Sequence, residues 1–181
     1  KPNVVSNNIN NSFDKKLYEL FGSIGVLGQT INSHGGANTS NVAYGLSAYE
    51  FEKIDSSYRS SISVQSSLVI HPIFTFGTSE QKNRFLPDLV KGKKIGCFGL
   101  TESEAGSDPS SMKTTYKKTS EGYILNGIKN WITNAPIADI FIIWALSEKR
   151  DKDSLKGFIL EKNLSGLSTF LIKNKASLKI S

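Results

Sequence analysis

The sequence is poor in the residues that build disulfide frameworks and metal centres. Among its 181 residues there is one cysteine, Cys97, and there are two histidines, His34 and His71. One cysteine cannot form a disulfide within the chain, and a zinc site takes most of its three or four ligands from these two residue types. We therefore expect no metal site. The lone cysteine is compatible with a reducing compartment such as the bacterial cytoplasm or the mitochondrial matrix.

Long apolar runs and dense blocks of charge are also missing. The longest apolar run covers residues 140–146, whereas a membrane-spanning helix needs about 20 apolar residues. The opening KPNVVSNNINNS has no apolar core of the signal-peptide kind, so no targeting segment is visible. The formal net charge is +6, but the lysines are scattered and no Arg-rich block alternates with aromatic residues. This pattern argues against a nucleic-acid-binding protein.

The first half of the chain has apolar residues at helical spacing, which predicts helices. A first helix holds Leu17, Leu20 and Phe21, with Ser12 as its N-cap and Gly22 as its stop. A second begins near Ser40. Its expected buried stripe consists of Val42, Leu46 and Tyr49.

Two further helices are expected before residue 93. The third covers residues 57–70, with Ile62, Leu68 and Val69 facing inward, and should end before Pro72. The fourth opens with Thr78 and Gln81 at capping-box spacing and turns Phe85 and Leu89 inward; Pro87 should kink or end it.

The second half has the short, alternating runs of a β structure. Strands are predicted at residues 95–101, 116–118, 123–125, 128–133, 140–146, 157–160 and 170–172. Asn126-Gly127 is a strong signal for a tight hairpin turn, and residues 148–154 form a charged turn. We predict an α+β chain, with a helical part at residues 1–93 and an antiparallel, barrel-like β part at residues 94–181.

Three stretches carry candidate site residues. Arg59 lies in DSSYRSSISVQSS and is either a surface arginine or a fork that binds a carboxylate among small hydroxyl side chains. The stretch GCFGLTESEAGSDPSSM, residues 96–112, is either an ordinary turn or a ligand seat after a strand, and it matches neither phosphate-binding glycine motif. In NGIKNWITN, strand alternation would place Trp131 and Thr133 on one face as a wall for a flat ligand, unless Trp131 is a core residue.

In this order and spacing, the three stretches resemble the flavin-dependent acyl-CoA dehydrogenases, and in detail their glutaryl-CoA dehydrogenase branch. The resemblance covers about residues 13–181. It implies part of the N-terminal helical domain and most of the middle β-domain of that family, without the C-terminal helical bundle. Two departures are Ser103, where many relatives have proline, and Asn130, where threonine or methionine is more usual.

The resemblance also implies site residues and a cofactor, FAD. The cofactor-binding residues implied are Phe98, Gly99, Leu100, Thr101, Gly106, Ser107, Trp131, Ile132 and Thr133. Thr101 would bind the pyrimidine edge of the isoalloxazine, and Thr133 would bind near N5. The substrate-binding residues implied are Arg59, Ser60, Ser63 and Ser107.

The implied reaction is oxidation and decarboxylation of glutaryl-CoA to crotonyl-CoA, with electrons passing to an electron-transfer flavoprotein. The family's general base would lie C-terminal of residue 181, so we expect no catalytic residue in this chain and no turnover by the chain alone. A full-length protein would be a homo-oligomer. Two alternatives remain open, namely a partner-binding remnant without cofactor, and an acyl-CoA dehydrogenase of different acyl specificity.

Overall fold

The computed structural model describes residue 10, residues 13–149 and residues 154–179. Its first half is helical and its second half is built on a sheet, as predicted. The helical segments, with a π-helix between α3 and α4, are α1 (Lys16–Ser23), α2 (Asn41–Glu52), α3 (Ser56–Ser63), the π-helix (Val64–Ile70), α4 (His71–Phe76) and α5 (Ser79–Val90). No helix among the described residues is long and apolar enough to cross a membrane.

The predicted helix starts are confirmed wherever a side chain caps the first turn. The Ser40 hydroxyl accepts a hydrogen bond from the Ala43 N–H, and Thr78 and Gln81 form a complete capping box. The predicted N-cap Ser12 lies outside the described residues. Gly22 does not stop α1. It lies within the helix. Glycine is required there because a Cβ would come within 2.4 Å of the Lys91 carbonyl.

Both prolines predicted to end helices are instead accommodated. The third helix changes to π-helical hydrogen bonding at Val64–Ile70, and Pro72 falls in the first turn of α4. Ile70 and His71 both have right-handed helical backbone angles, so Pro72 lies within a continuous helical run and not at its end. Pro87 lies inside α5, which continues to Val90.

The predicted buried stripe of α2 is wrong. Val42, Leu46 and Tyr49 are exposed, and no residue of α2 is fully buried. Leu68, also predicted to face inward, is exposed too. The main core instead joins the other helices to one face of the sheet. Its largest fully buried side chains include Tyr18, Leu27, Ile31, Ile70, Leu86, Leu89 and Ile140.

The sheet is mixed, whereas the sequence predicts antiparallel pairing. Its strands are β1 (Gly96–Gly99), β2 (Thr115–Thr119), β3 (Gly122–Asn126), β4 (Ile140–Ser147) and β5 (Leu155–Glu161). The β2–β3 hairpin and the β4–β5 pair are antiparallel, but β1 and β2 are both parallel to β4.

Strand β4 is the centre of this sheet. One of its edges pairs with β5 along its length. The other edge pairs first with β1, where Gly99 lies opposite Ile143, and then with β2, where Thr115 lies opposite Leu146. Strands β1 and β2 therefore follow one another along a single edge, and residues 100–114 leave the sheet between them.

Asn126-Gly127 is not a hairpin turn, and residues 128–133 and 170–172 are not strands. Asn126 ends β3 opposite Thr115. Gly127 is required by a close approach, because a Cβ there would lie 2.6 Å from the Thr114 Cα. Trp131 has φ 61°, a left-handed conformation that breaks the alternation of a strand.

A buried polar network joins the two halves of the chain. The Asn134 amide accepts from the Ser61 hydroxyl (2.7 Å) and donates to the carbonyls of Gly96 (3.0 Å) and Ser61 (3.3 Å). The Ser61 hydroxyl also contacts the Tyr18 hydroxyl, and the Gly96 N–H donates to the Gln65 side chain (2.7 Å). Each of the four side chains is fully buried. The first strand is thus held through both polar groups of Gly96.

Candidate functional site

The loop between β1 and β2, residues 100–114, is closed at its base by one carboxylate. Glu102 accepts hydrogen bonds from the N–H groups of Lys113 (2.6 Å) and Thr114 (3.0 Å) and from the Thr114 hydroxyl. It also pairs with Lys129 (2.8 Å), and both side chains are more than 90% buried. We call residues 100–114 the Thr101 loop.

The charge state of Glu102 follows from these contacts. Burial raises its pKa, but the hydrogen bonds from Lys129, Thr114 and the backbone N–H groups outweigh burial and lower the pKa to about 2. Glu102 is therefore ionised and fully engaged at neutral pH. It holds the loop and is unsuited to accept a proton from a substrate.

Residues 127–133, which we call the Trp131 segment, lie across this loop. The Asn130 N–H donates to the Thr101 carbonyl (2.9 Å), and the Lys129 ammonium donates to the Leu100 carbonyl (3.0 Å). With its amide oriented to suit its neighbours, the Asn130 side chain accepts from the Ser103 N–H (3.2 Å). The fold therefore brings two of the candidate stretches together at the end of β1.

This surface presents one aromatic ring and several hydroxyl groups. Trp131 is 62% exposed, so its indole is not a core residue. Among the described residues, the hydroxyls of Thr101, Ser107 and Thr133 have no hydrogen-bond partner, and a side chain at Gly106 would meet open space. An exposed ring beside unpaired hydroxyl groups can stack on a flat ligand and bind its polar edge.

The apolar members of the predicted set support this surface from beneath. Phe98 is half-buried against the main core and contacts the Trp144 ring edge-on at 6.1 Å. Leu100 packs on Met112 and Ala105, and Ile132 packs on Cys97 and neighbouring residues. Gly99 is required because a Cβ there would lie 2.6 Å from Ile143.

A second cleft, which we call the Arg59 pocket, lies between α2 and α3. Its volume is about 210 Å³, part of which is open to solvent. Its lining residues are Gln29, Tyr44, Ser47, Ala48, Phe51, Arg59, Ile62 and Ser63. The pocket thus includes two of the predicted substrate-binding residues, Arg59 and Ser63, whereas Ser60 is not among its lining residues.

Arg59 is held in this pocket by a carboxylate. Its Nε donates to Glu52 (2.7 Å), and the pKa of Glu52 is lowered by that hydrogen bond and by one from Ser56. Among the described residues the two terminal nitrogens of the guanidinium have no partner. A second carboxylate could therefore bind to them without first breaking the contact with Glu52.

Sequence reasoning missed Tyr44 and Ser47, the polar residues of α2 that line the Arg59 pocket. Tyr44 contacts the hydroxyls of Ser63 (3.1 Å) and Ser67 (2.7 Å). A signal was present, because Tyr44, Ser47, Ala48 and Phe51 follow helical spacing. The more apolar stripe through Val42 drew attention away from them. No group of three or more His, Cys, Asp or Glu side chains in the described residues could hold a metal.

Family comparison agrees with this division of the chain. Residues 1–93 match the family model "Acyl-CoA dehydrogenase, N-terminal domain", and residues 97–180 match "Acyl-CoA dehydrogenase, middle domain". An acyl-CoA dehydrogenase of Bacillus subtilis is 37% identical over 158 residues, which are 86% of this chain and 42% of the relative.

Two solved structures are similar to the whole described fold. A glutaryl-CoA dehydrogenase from Mycobacterium smegmatis in complex with FADH2 has a TM-score of 0.94 and 41% identity, covering 99% of this chain and 45% of that one. Butyryl-CoA dehydrogenase from Megasphaera elsdenii has a TM-score of 0.83 and 36% identity, covering 91% and 45%. The chain therefore spans less than half the length of the proteins that it resembles.

Proposed function

Because this chain belongs to the acyl-CoA dehydrogenase family, we propose that it forms the FAD and acyl-chain walls of a flavin-dependent acyl-CoA dehydrogenase. The observation that carries the proposal is the pairing of the Thr101 loop with the Trp131 segment. Trp131 is exposed on the Trp131 segment, and the Asn130 N–H next to it bonds to Thr101 of the loop. Such a surface fits the flat, polar-edged ring system of a flavin.

The proposed FAD contacts divide by chemistry. Trp131 stacks on the ring system, Thr101 and Thr133 bind its polar edges through their hydroxyls, and Ser107 with the open backbone at Gly106 lies toward the phosphate side. Phe98, Gly99, Leu100 and Ile132 hold these groups in place. Bound FAD supplies the acceptor for the two electrons removed from the acyl chain.

For the substrate, we propose an acyl-CoA with a carboxylate at its far end, of which glutaryl-CoA is the best candidate. Arg59 is the basis, because its two terminal nitrogens fit a carboxylate bidentately and Ser63 and Tyr44 add hydroxyls beside them. Ser60 and Ser107 remain proposed substrate contacts. Glu102 and Glu104 are engaged by lysines, so neither is assigned as the base.

The overall reaction proposed is oxidation of glutaryl-CoA between Cα and Cβ, followed by loss of the far carboxylate as carbon dioxide. The electron pair of the broken bond is taken up by the conjugated thioester, and protonation gives crotonyl-CoA. The two electrons of the first step leave to an electron-transfer flavoprotein. The residues of this protein orient the acyl group and bind its carboxylate.

Two observations favour a second candidate, a neutral acyl chain. Glu52 already lies against Arg59 and offsets its charge, and a butyryl-CoA dehydrogenase is among the similar structures. In that case Arg59 would serve α2–α3 packing, and its removal would leave substrate choice unchanged.

A binding titration separates these candidates. FAD binding is measured by flavin fluorescence, and the FAD-loaded protein is then titrated with glutaryl-CoA and with butyryl-CoA while the flavin absorbance is recorded. We expect tighter binding of glutaryl-CoA, and Arg59→Ala should reduce that preference by about thirtyfold, equivalent to about 2 kcal/mol for a charged hydrogen-bonded pair.

The matched control is Arg84→Ala, which removes another exposed arginine paired with a glutamate, Glu161, away from the pocket. It should leave both affinities unchanged. Absence of FAD binding would refute the flavin assignment. An unchanged preference in Arg59→Ala would refute the dicarboxylate and favour the neutral chain.

A further inference from the structure

The buried polar network described above joins the backbone segments that carry the two sites. Ser61 lies on α3, two residues from both Arg59 and Ser63. Asn134 directly follows Thr133 in the chain. The hydrogen bonds between Ser61 and Asn134 therefore connect the Arg59 pocket to the Trp131 segment. On each side, at most two residues of chain separate the bonded residue from a proposed site residue.

The geometry of Asn134 is suited to this task. Its backbone is left-handed, with φ 72°, and its amide makes one accepted and two donated hydrogen bonds to two elements, α3 and β1. It is fully buried, so water cannot replace a lost contact cheaply. A relative shift of α3 and β1 would break at least one of these bonds.

We propose that Asn134 is a positioning residue that sets the distance between the Arg59 pocket and the flavin-binding surface. The inference rests on the proposed function. An acyl-CoA held by its far carboxylate at Arg59 must also place its reacting carbons against the flavin, so a displacement of one site relative to the other weakens one of its two contacts and lowers its affinity. A neutral chain, free at its far end, tolerates the same displacement.

The test uses Asn134→Asp, which keeps the shape and the accepted bond but cannot donate to the Gly96 and Ser61 carbonyls. Ser61→Ala is a second variant in case the aspartate fails to fold. The matched control is Ser66→Ala, which removes a buried hydroxyl that bonds to the backbone of Gly28 and Val26 and lies outside this network. FAD affinity, and glutaryl-CoA and butyryl-CoA affinities of the FAD-loaded protein, are measured as above.

We expect Asn134→Asp and Ser61→Ala to reduce the preference for glutaryl-CoA at least tenfold while FAD affinity stays within threefold of wild type. Ser66→Ala should lower the melting temperature but keep the preference. A preference retained within threefold in both network variants, or an equal loss in Ser66→Ala, would overturn the inference and leave the network a purely structural feature.

A melting experiment on the protein without FAD tests the connection itself. If Ser61 and Asn134 act together, the double variant Ser61→Ala/Asn134→Ala should melt close to the lower of the two single variants. Additive losses would overturn the inference. Wild-type protein that binds no FAD, or that does not prefer glutaryl-CoA, would instead refute the proposed function. The melting experiment distinguishes the two failures, because its result depends on neither FAD nor substrate.

Discussion

Two ion pairs in this protein each join a glutamate to a basic side chain, but they differ in burial and in the number of hydrogen bonds that they make. Glu102–Lys129 is more than 90% buried on both sides, and its carboxylate also accepts three further hydrogen bonds. Glu52–Arg59 is 44% and 36% exposed, and the arginine keeps its two terminal nitrogens unbound among the described residues. The first pair has no capacity left for a ligand, whereas the second does.

The difference shows how burial separates a structural pair from an exchangeable one. A buried pair is costly to break, since the remaining charge stays in a medium of low dielectric constant. An exposed pair contributes at most about 1 kcal/mol, so a ligand carboxylate can compete with it. The base of the Thr101 loop is therefore held firmly by its buried pair. In the Arg59 pocket, by contrast, a ligand carboxylate can replace Glu52 as the partner of Arg59.

The largest expected effect comes from breaking the buried pair. Glu102→Gln should lower the free energy of unfolding by about 3 to 5 kcal/mol, because it leaves the Lys129 ammonium buried without a counter-charge. Urea unfolding measures this. Glu104→Gln is the matched control, since Glu104 pairs with Lys113 on the exposed side of the same loop. Equal, small losses in both variants would show that the Glu102–Lys129 pair does not stabilise the fold.

Lowering the pH should weaken the same pair by protonating Glu102, with a smaller loss of unfolding free energy than the substitution. The pKa of Glu102 is about 2 in the folded protein, against an ordinary value of 4.5. Its contribution is complete above pH 4.5 and is lost as the pH falls from 4.5 towards 2. The difference is equivalent to as much as about 3 kcal/mol, less the cost of burying Lys129. Unfolding measured at pH 7, 4 and 3 should show a shallower loss for Glu102→Gln than for wild type; parallel curves would contradict this.

The smallest effect is expected at the exposed pair. Glu52→Gln should change the free energy of unfolding by less than about 0.5 kcal/mol. It should strengthen glutaryl-CoA binding to the FAD-loaded protein by about threefold, because Arg59 keeps a hydrogen-bond partner but loses the competing charge. Glu50→Gln, which removes the exposed partner of Lys53 on the same helix, is the control. Weaker binding in Glu52→Gln would mean that Glu52 orients Arg59 for the ligand.

Features determined by neighbouring residues could be predicted from the sequence. Ser40 and Thr78 cap helices through hydrogen bonds three residues away, and the β2–β3 hairpin follows its local pattern. Features determined by distant residues could not. The sequence pattern predicts that Gly127 is a turn glycine, but glycine is required there because Thr114 approaches closely. In the same way, the burial of Glu102 depends on its distant partner Lys129.

The candidate site shows the same limit. Arg59, Trp131 and the hydroxyl residues are proposed site residues on the basis of their chemistry and of a family resemblance. Tyr44 and Asn134 were missed because each gains its role only when α2 meets α3, or when the Trp131 segment meets α3. The alternation assigned to Trp131 was wrong, since its left-handed backbone, and not a strand, turns the ring outward.

The single edge of β4 shared by β1 and β2 has a consequence for how this protein can diversify. The strands resume three β4 residues apart, about 10 Å, so the Thr101 loop is an excursion from an otherwise continuous edge. Because closure entropy grows only logarithmically, doubling the length of such a loop costs about 0.6 kcal/mol. With its base fixed by Glu102, the tip around Gly106 can lengthen or change composition while the sheet keeps its register. Ligand contacts can evolve there independently of the fold.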